Sequence, residues 1–292
     1  MSSRKIRAYF DYNIYTSILA RDIELIQSKN VDLFYSVAHV EEYYKALKNA
    51  SEENYGELES LKHLLIESAK PGVILNPSNS RIRAVKEKFE VCYKRIEEFD
   101  TRAIVNDNGK RLYDINKESV AKLQTKDKEA KNNSNLNYKE IWERDELKKV
   151  IKDFERYYNQ YENNVKKIMF EEYGLKALQL IKNIKLPCDF ILKENCFKQI
   201  ESFHLLEMII EYLNNELCAC GYNKDVDVRK TQSGIHDVSH MIYGTYCDYL
   251  VTSDKRFMKR AQAIYYFLGV DTLVVDYEEY KKMVTDLDIM ER

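Results

Sequence analysis

Four acids in this chain stand where a short apolar run gives way to a helix-forming stretch. Asp11 follows Arg7-Ala-Tyr-Phe10, and Glu42 lies six residues beyond Ser36, which closes the run Asp32-Leu-Phe-Tyr-Ser36. Asp237 lies near the start of a helix-forming stretch, and Asp254 ends the run Asp248-Tyr-Leu-Val-Thr252-Ser253-Asp254. Carboxylates gathered from several strand tips at one edge of an α/β sheet offer the hard oxygen ligands that Mg²⁺ or Mn²⁺ takes. A cation held there can generate a hydroxide nucleophile and stabilise the charge that builds on a phosphodiester, so the chemistry implied is metal-assisted hydrolysis. Each acid has an ordinary reading as well. Asp11, Asp237 and Asp254 suit helix N-termini, and Glu42 could sit on a solvated helix face. Their recurrence at successive junctions is what favours the chemical reading. Glu41 competes with Glu42; Glu42 is preferred because an apolar residue follows it and its distance from Ser36 fits.

The elements that would position these acids follow from periodicity. Residues 6–10, 32–36 and 73–75 read as buried strands, and helices are expected over about 14–27, 39–48 and 55–69. This alternation points to a parallel sheet with helices on its faces. From about residue 79 the character changes. Residues 81–102 read as a charged helix, 103–137 as polar and loop-like, 138–182 as strongly helical with a break near Gly174, and 197–220 as another helix. The α/β pattern resumes with helices over about 233–247, 255–268 and 277–285 and strands over 249–252 and 272–275. Residues 1–78 and 226–292 therefore read as one discontinuous core that brackets a helical insertion over 79–225.

Composition bounds the class. The 292 residues are 45% hydrophobic and 32% charged, which fits a globular protein and argues against wholesale disorder. A net charge of −2 provides no global basic field, so nucleic-acid binding would need a local patch. The six cysteines form no CxxC pair and are expected to be reduced, mostly buried thiols. No leader or membrane span is expected from the sequence, and a cytoplasmic setting follows.

The quoted segments resemble a known family. Tyr9-Phe10-Asp11, the Ser36-x5-Glu42 step, and Asp237-x2-His240 leading to Thr252-Ser253-Asp254-x2-Phe257 are similar to the PIN domain ribonucleases. The resemblance spans residues 4–76 and about 230–277. It implies a three-layer α/β/α fold with a central parallel sheet, here interrupted by the helical insertion. It also implies that Asp11, Glu42, Asp237 and Asp254 bind Mg²⁺ or Mn²⁺ and carry catalysis. Thr252 matches a small hydroxyl residue that contacts metal-bound water or phosphate, with Ser253 and Asn13 as supporting groups. His240 falls where family members carry a helix histidine, although a packed core histidine is its ordinary reading. The activity implied is endonucleolytic cleavage of RNA, leaving a 5′-phosphate and a 3′-hydroxyl; a toxin or phage-defence role is compatible with it.

Two alternatives stay open. One is a catalytically silent PIN-like scaffold that binds RNA or regulates. The other is a haloacid-dehalogenase-type phosphatase, which also begins with a strand-tip Asp but needs a second acid where this chain has Asn13. The insertion offers basic clusters at Lys122–Lys131, Arg144–Lys152 and Lys166-Lys167, interleaved with Trp142, Tyr157, Tyr158 and Tyr161. These could form an RNA-binding arm, with Lys on phosphate and aromatics on bases. The acids among them favour a solvated helix laced with ion pairs. A regulatory protein or a second copy of the chain could also dock there.

Overall fold

The structure is a computed structural model and describes residues 4–78, 81–101, 133–173, 190–224 and 237–290. In chain order the elements are β1 (Ile6–Phe10), α1 (Tyr12–Leu19), β2 (Val31–Ser36), α2 (Val37–Lys48), α3 (Tyr55–Ser68), β3 (Val73–Ser78), β4 (Arg81–Lys86) and α4 (Phe89–Thr101). There follow α5 (Asp145–Tyr173), α6 (Phe203–Ala219), α7 (237–244), β5 (Tyr249–Val251), α8 (Lys255–Leu268), β6 (Leu273–Val275) and α9 (Tyr277–Met290). Six strands form one sheet in the order β4-β3-β2-β1-β5-β6, and all neighbours are parallel except β3 and β4. The chain steps outward from β1 through β2 to β3, then resumes on the other side of β1 with β5 and β6. The order thus reverses between β1 and β5. In open α/β sheets the crevice beyond the carboxyl ends of the strands at such a reversal is where ligands bind.

Strand alternation builds the layers. Ala8 and Phe10 of β1, Leu33 and Tyr35 of β2, Ile74 of β3 and Val251 of β5 join one core with residues of α1, α3 and α9. The intervening Tyr9, Phe34, Leu75 and Leu250 join a second core with residues of α5, α6, α7 and α8. Both faces are covered, so the strands are near-continuous apolar runs, as buried parallel strands require. The chain is therefore α/β with helices on both faces of a mostly parallel sheet. The described part of the insertion contributes to both cores: Ile141, Trp142, Leu147 and Phe154 pack in the same cluster as Leu250 and Phe257, and Phe89 and Cys92 of α4 pack in the first.

Several side chains fix the central register. Asp248 accepts the Arg7 backbone N–H at 2.8 Å and the Arg7 guanidinium at 2.9 Å, joining the start of β5 to β1. Burial alone would raise the Asp248 carboxyl, but the Arg7 hydrogen bonds and charge hold it below the usual carboxylate range.

Three expectations are corrected. Residues 81–86 form an edge strand, not the start of a helix; they pair antiparallel with β3, and the charges of Arg-Ile-Arg-Ala-Val-Lys suit a sheet edge that must not recruit another strand. The first helix ends at Leu19 rather than near Gln27, with Arg21 in the left-handed region (φ 63°) just beyond it. The aromatics that one open reading set on an RNA-binding arm are turned to the core where described: Trp142 stacks on Phe267 at 4.5 Å and donates Nε1–H to the Ala263 carbonyl, Tyr158 is buried and Tyr157 packs against the same cluster. Lys122–Lys131 lie outside the described residues, and of Tyr161 and Lys166-Lys167 no side chain is described. Cys92, Cys196, Cys218, Cys220 and Cys247 are free thiols. No helix among the described residues is long and apolar enough to cross a membrane.

Candidate functional site

Asp11 is the residue next after β1, and its backbone N–H bonds the Val251 carbonyl at 2.9 Å, which sets it level with the end of β5. It occupies the N-cap position of α1, yet its side chain makes no capping bond. Its Oδ2 instead accepts from Thr252 Oγ1 at 2.9 Å and from Asn13 Nδ2 at 3.2 Å. At 3% exposure the carboxylate is buried, so these donors replace water it has lost.

The same Thr252 hydroxyl accepts the Asp254 backbone N–H at 3.1 Å. One oxygen therefore links the first acid to the last. Asp254 Oδ1 accepts from the Arg256 and Phe257 backbone amides at 2.8 and 3.0 Å and caps α8. Its Oδ2 carries no hydrogen bond among the described residues. Ser253 is exposed in the turn between them.

Glu42 reaches the site from α2. The backbone enters that helix through a capping box in which Ser36 caps and His39 reaches back to the Ser36 amide. Glu42 Oε2 accepts from His240 Nε2 at 2.8 Å, and the same nitrogen lies 3.7 Å from Asp11 Oδ1. The two acids are thus no farther apart than the sum of those distances. Glu41 takes a different environment, where its charge is felt by Tyr243 and Cys92.

His240, on α7, is 1% exposed. Burial alone would lower its pKa, but the Glu42 charge and hydrogen bond, followed by the charges of Asp11 and Asp237, push it up to about 9. Its Nδ1 lies 2.8 Å from the Tyr9 hydroxyl. That hydroxyl also bonds Ser36 Oγ at 2.7 Å and approaches His39 Nδ1 at 3.3 Å. His39 Nε2 donates to the Phe10 carbonyl at 2.8 Å. Burial, aided by the His240 charge, keeps His39 well below the ordinary histidine range and therefore neutral.

Asp237 has a partner that the sequence did not suggest. Arg260 of α8 donates Nη2–H to Asp237 Oδ2 at 2.8 Å, Nε–H to Asn214 Oδ1 at 3.1 Å and Nη1–H to the Asn223 carbonyl at 2.6 Å. Asp237 is one helical turn before His240, so its charge still acts on that ring.

The structure therefore joins Asp11, Asn13, Glu42, His240, Thr252 and Asp254 at the reversal between β1 and β5, and ties Asp237 to Arg260 beside them. Sequence reasoning missed Tyr9, Ser36, His39 and Arg260. Only the Ser36/His39 capping box carried a sequence signal, since Ser followed three residues later by a side chain that can reach back marks a helix start. Tyr12 was missed as well: its buried hydroxyl has no hydrogen-bond partner among the described residues, and burial followed by the Glu42 charge raises its pKa.

A divalent cation would find oxygen donors here. Asp11 Oδ1, Glu42 Oε1 and Asp254 Oδ2 carry no hydrogen bond among the described residues, and carboxylate oxygen is the ligand that Mg²⁺ and Mn²⁺ take. Among those residues, however, no group of three or more His, Cys, Asp or Glu side chains stands close enough together to hold a metal ion. The donor set fits an ion that keeps several waters and takes one or two carboxylates from the protein, as Mg²⁺ commonly does. No family model matches the chain, and no curated protein or solved structure matches it either.

Proposed function

We propose that this chain is a PIN-like, metal-dependent endonuclease that hydrolyses phosphodiester bonds in RNA. The observation that carries the reading is the meeting of Asp11 and Glu42 on His240 at the strand-order reversal between β1 and β5, with Thr252 joining Asp11 to the Asp254 backbone. Asp11, Glu42 and Asp254 would hold Mg²⁺ or Mn²⁺. When bound, the ion supplies activation of water and neutralisation of charge on the phosphate. Thr252 and Asn13 fix the Asp11 carboxylate by hydrogen bonds to one oxygen and leave the other for the ion. His240 holds a proton at Nε2 between Glu42 and Asp11, which offsets repulsion between a buried acid and a half-buried one. Asp237 adds its charge to this group while anchored on Arg260. Exposed Ser253, between Thr252 and Asp254, would be open to a phosphate.

A second reading draws on pairing already present: Asp237 and Glu42 meet cationic or protonated partners at 2.8 Å. A silent scaffold of the same fold would look like this and would bind RNA without cutting it. The two readings separate in one experiment. Purified protein and its Asp254→Asn variant are incubated with labelled single-stranded RNA and DNA in Mn²⁺, Mg²⁺ or EDTA. The nuclease reading expects metal-dependent cutting of RNA by the parent only, with a 5′-phosphate on the product. Retained binding with no cutting in any metal points to the scaffold, and cutting that survives EDTA removes the metal mechanism.

A further inference from the structure

We propose that Tyr9 is a positioning residue: its phenol oxygen locks the His240 ring so that Nε2, and not a ring carbon, faces Glu42 and Asp11. Tyr9 alternates to the opposite sheet face from Ala8 and Phe10, which places its ring beneath α7 and its hydroxyl among three polar groups. All of Tyr9, Ser36, His39 and His240 are buried, so each of their polar atoms needs a protein partner.

The donors can be assigned from the acceptors. The Phe10 carbonyl can only accept, so His39 carries its proton on Nε2 and presents Nδ1 as an acceptor. The Glu42 carboxylate likewise requires the proton of His240 on Nε2. Two arrangements of the remaining hydroxyl protons satisfy the network. With a proton on His240 Nδ1, that N–H donates to the Tyr9 oxygen and the Tyr9 O–H donates to Ser36 Oγ. Without it, the Tyr9 O–H donates to Nδ1 and the Ser36 O–H donates to the Tyr9 oxygen. A phenol between a hydroxyl and an imidazole accommodates either arrangement without moving a heavy atom. The ring orientation is held throughout. Removing the phenol oxygen would leave Nδ1 without its 2.8 Å partner, and a half-turn of the ring would then exchange Nε2 for a carbon opposite Glu42.

The inference rests on the nuclease reading for one arm of its test only. In the kinetic arm, Tyr9→Phe is compared with His240→Gln and with the double variant. Partners one sphere away from the reacting groups commonly matter by about 10- to 100-fold. A fall of that size in kcat with KM for RNA unchanged is expected for Tyr9→Phe, and the double variant should be no slower than His240→Gln alone. Multiplying effects would mean that Tyr9 acts elsewhere and would overturn the inference. The second arm needs no activity. In ¹⁵N-histidine NMR spectra of the full chain, the parent should show one His240 ring state with Nδ1 coupled to a hydrogen-bonded partner, and Tyr9→Phe should show a second ring state or exchange broadening. His240 signals unchanged by Tyr9→Phe would sink the proposal even if the protein cleaves RNA. A parent that cuts nothing would remove the nuclease reading, and the NMR comparison would still decide whether Tyr9 locks the ring.

Discussion

Two buried cationic side chains meet acids of the candidate site at the same distance, and they do different work. Arg260 and His240 are each 1% exposed, and each lies 2.8 Å from a carboxylate oxygen. Arg260 never loses its charge and spreads its donors over Asp237, Asn214 and the Asn223 carbonyl, which ties α8 to α7 and to the end of α6. His240 instead divides its two nitrogens, one toward Glu42 and Asp11 and one toward Tyr9, and it can lose a proton. Glu42 Oε1 carries no hydrogen bond among the described residues, and Asp11 Oδ1 meets only His240, at 3.7 Å. Contact distance alone therefore does not mark function here; Arg260 spends three donors on fixed acceptors, whereas His240 faces two carboxylates with one nitrogen.

Breaking the Arg260 region should give the largest effect on stability. Arg260→Met leaves Asp237, Asn214 and the Asn223 carbonyl without their shared donor, and removal of one partner of a buried pair commonly costs about 3–5 kcal/mol. The Asp237 side chain keeps 19% exposure, so about 3 kcal/mol is expected, read as a lower urea midpoint at constant m. Breaking the His240 region at its acids should spare stability and remove activity. Asp11→Asn should lower the cleavage rate more than about 100-fold, beyond the usual loss for second-sphere partners. That factor corresponds to roughly 2.7 kcal/mol of barrier. Its urea midpoint should stay close to the parent's.

A change of pH should divide the two regions further. The His240 pKa stands at about 9, above its ordinary value of 6.5, so the stability from its pairing is full below pH 6.5 and is lost as pH rises through about 9. Metal-free protein in EDTA should lose stability across that window, and His240→Gln should flatten that part of the profile. Arg260→Met should leave the slope in place. The smallest effect separates the two roles of Asp254. Asp254→Ala should cost about 1 kcal/mol through the lost cap, whereas Asp254→Asn, which can still cap, should cost little stability and still abolish cleavage.

How much of this was legible in the sequence varies with the element. The buried strands and the α8 helix announced themselves through uninterrupted apolar runs and a clear helical period, and the acids at their ends followed. β4 did not, because Arg81, Arg83 and Lys86 on an edge strand look like the charged face of a helix. Asp237 could be placed near a helix start, but its partner Arg260 lies 23 residues on, and nothing local couples the two. Tyr9 was legible only as one more core aromatic. Its hydroxyl acquires meaning when β1, α2 and α7 converge, and that convergence joins residues 231 positions apart. Trp142 shows the opposite error: an aromatic among basic residues looked suited to stacking on a base, and burial against Phe267 claims it.

The nuclease reading depends on Asp11, Glu42 and Asp254 forming a divalent-metal site. That site can be probed without a substrate by titrating Mn²⁺ into the full chain and into Asp11→Asn while following free Mn²⁺ by electron paramagnetic resonance. The parent should bind Mn²⁺ saturably, and Asp11→Asn should bind it far more weakly while remaining folded. A parent that leaves all Mn²⁺ free, or an Asp11→Asn variant that binds it as the parent does, would refute the site.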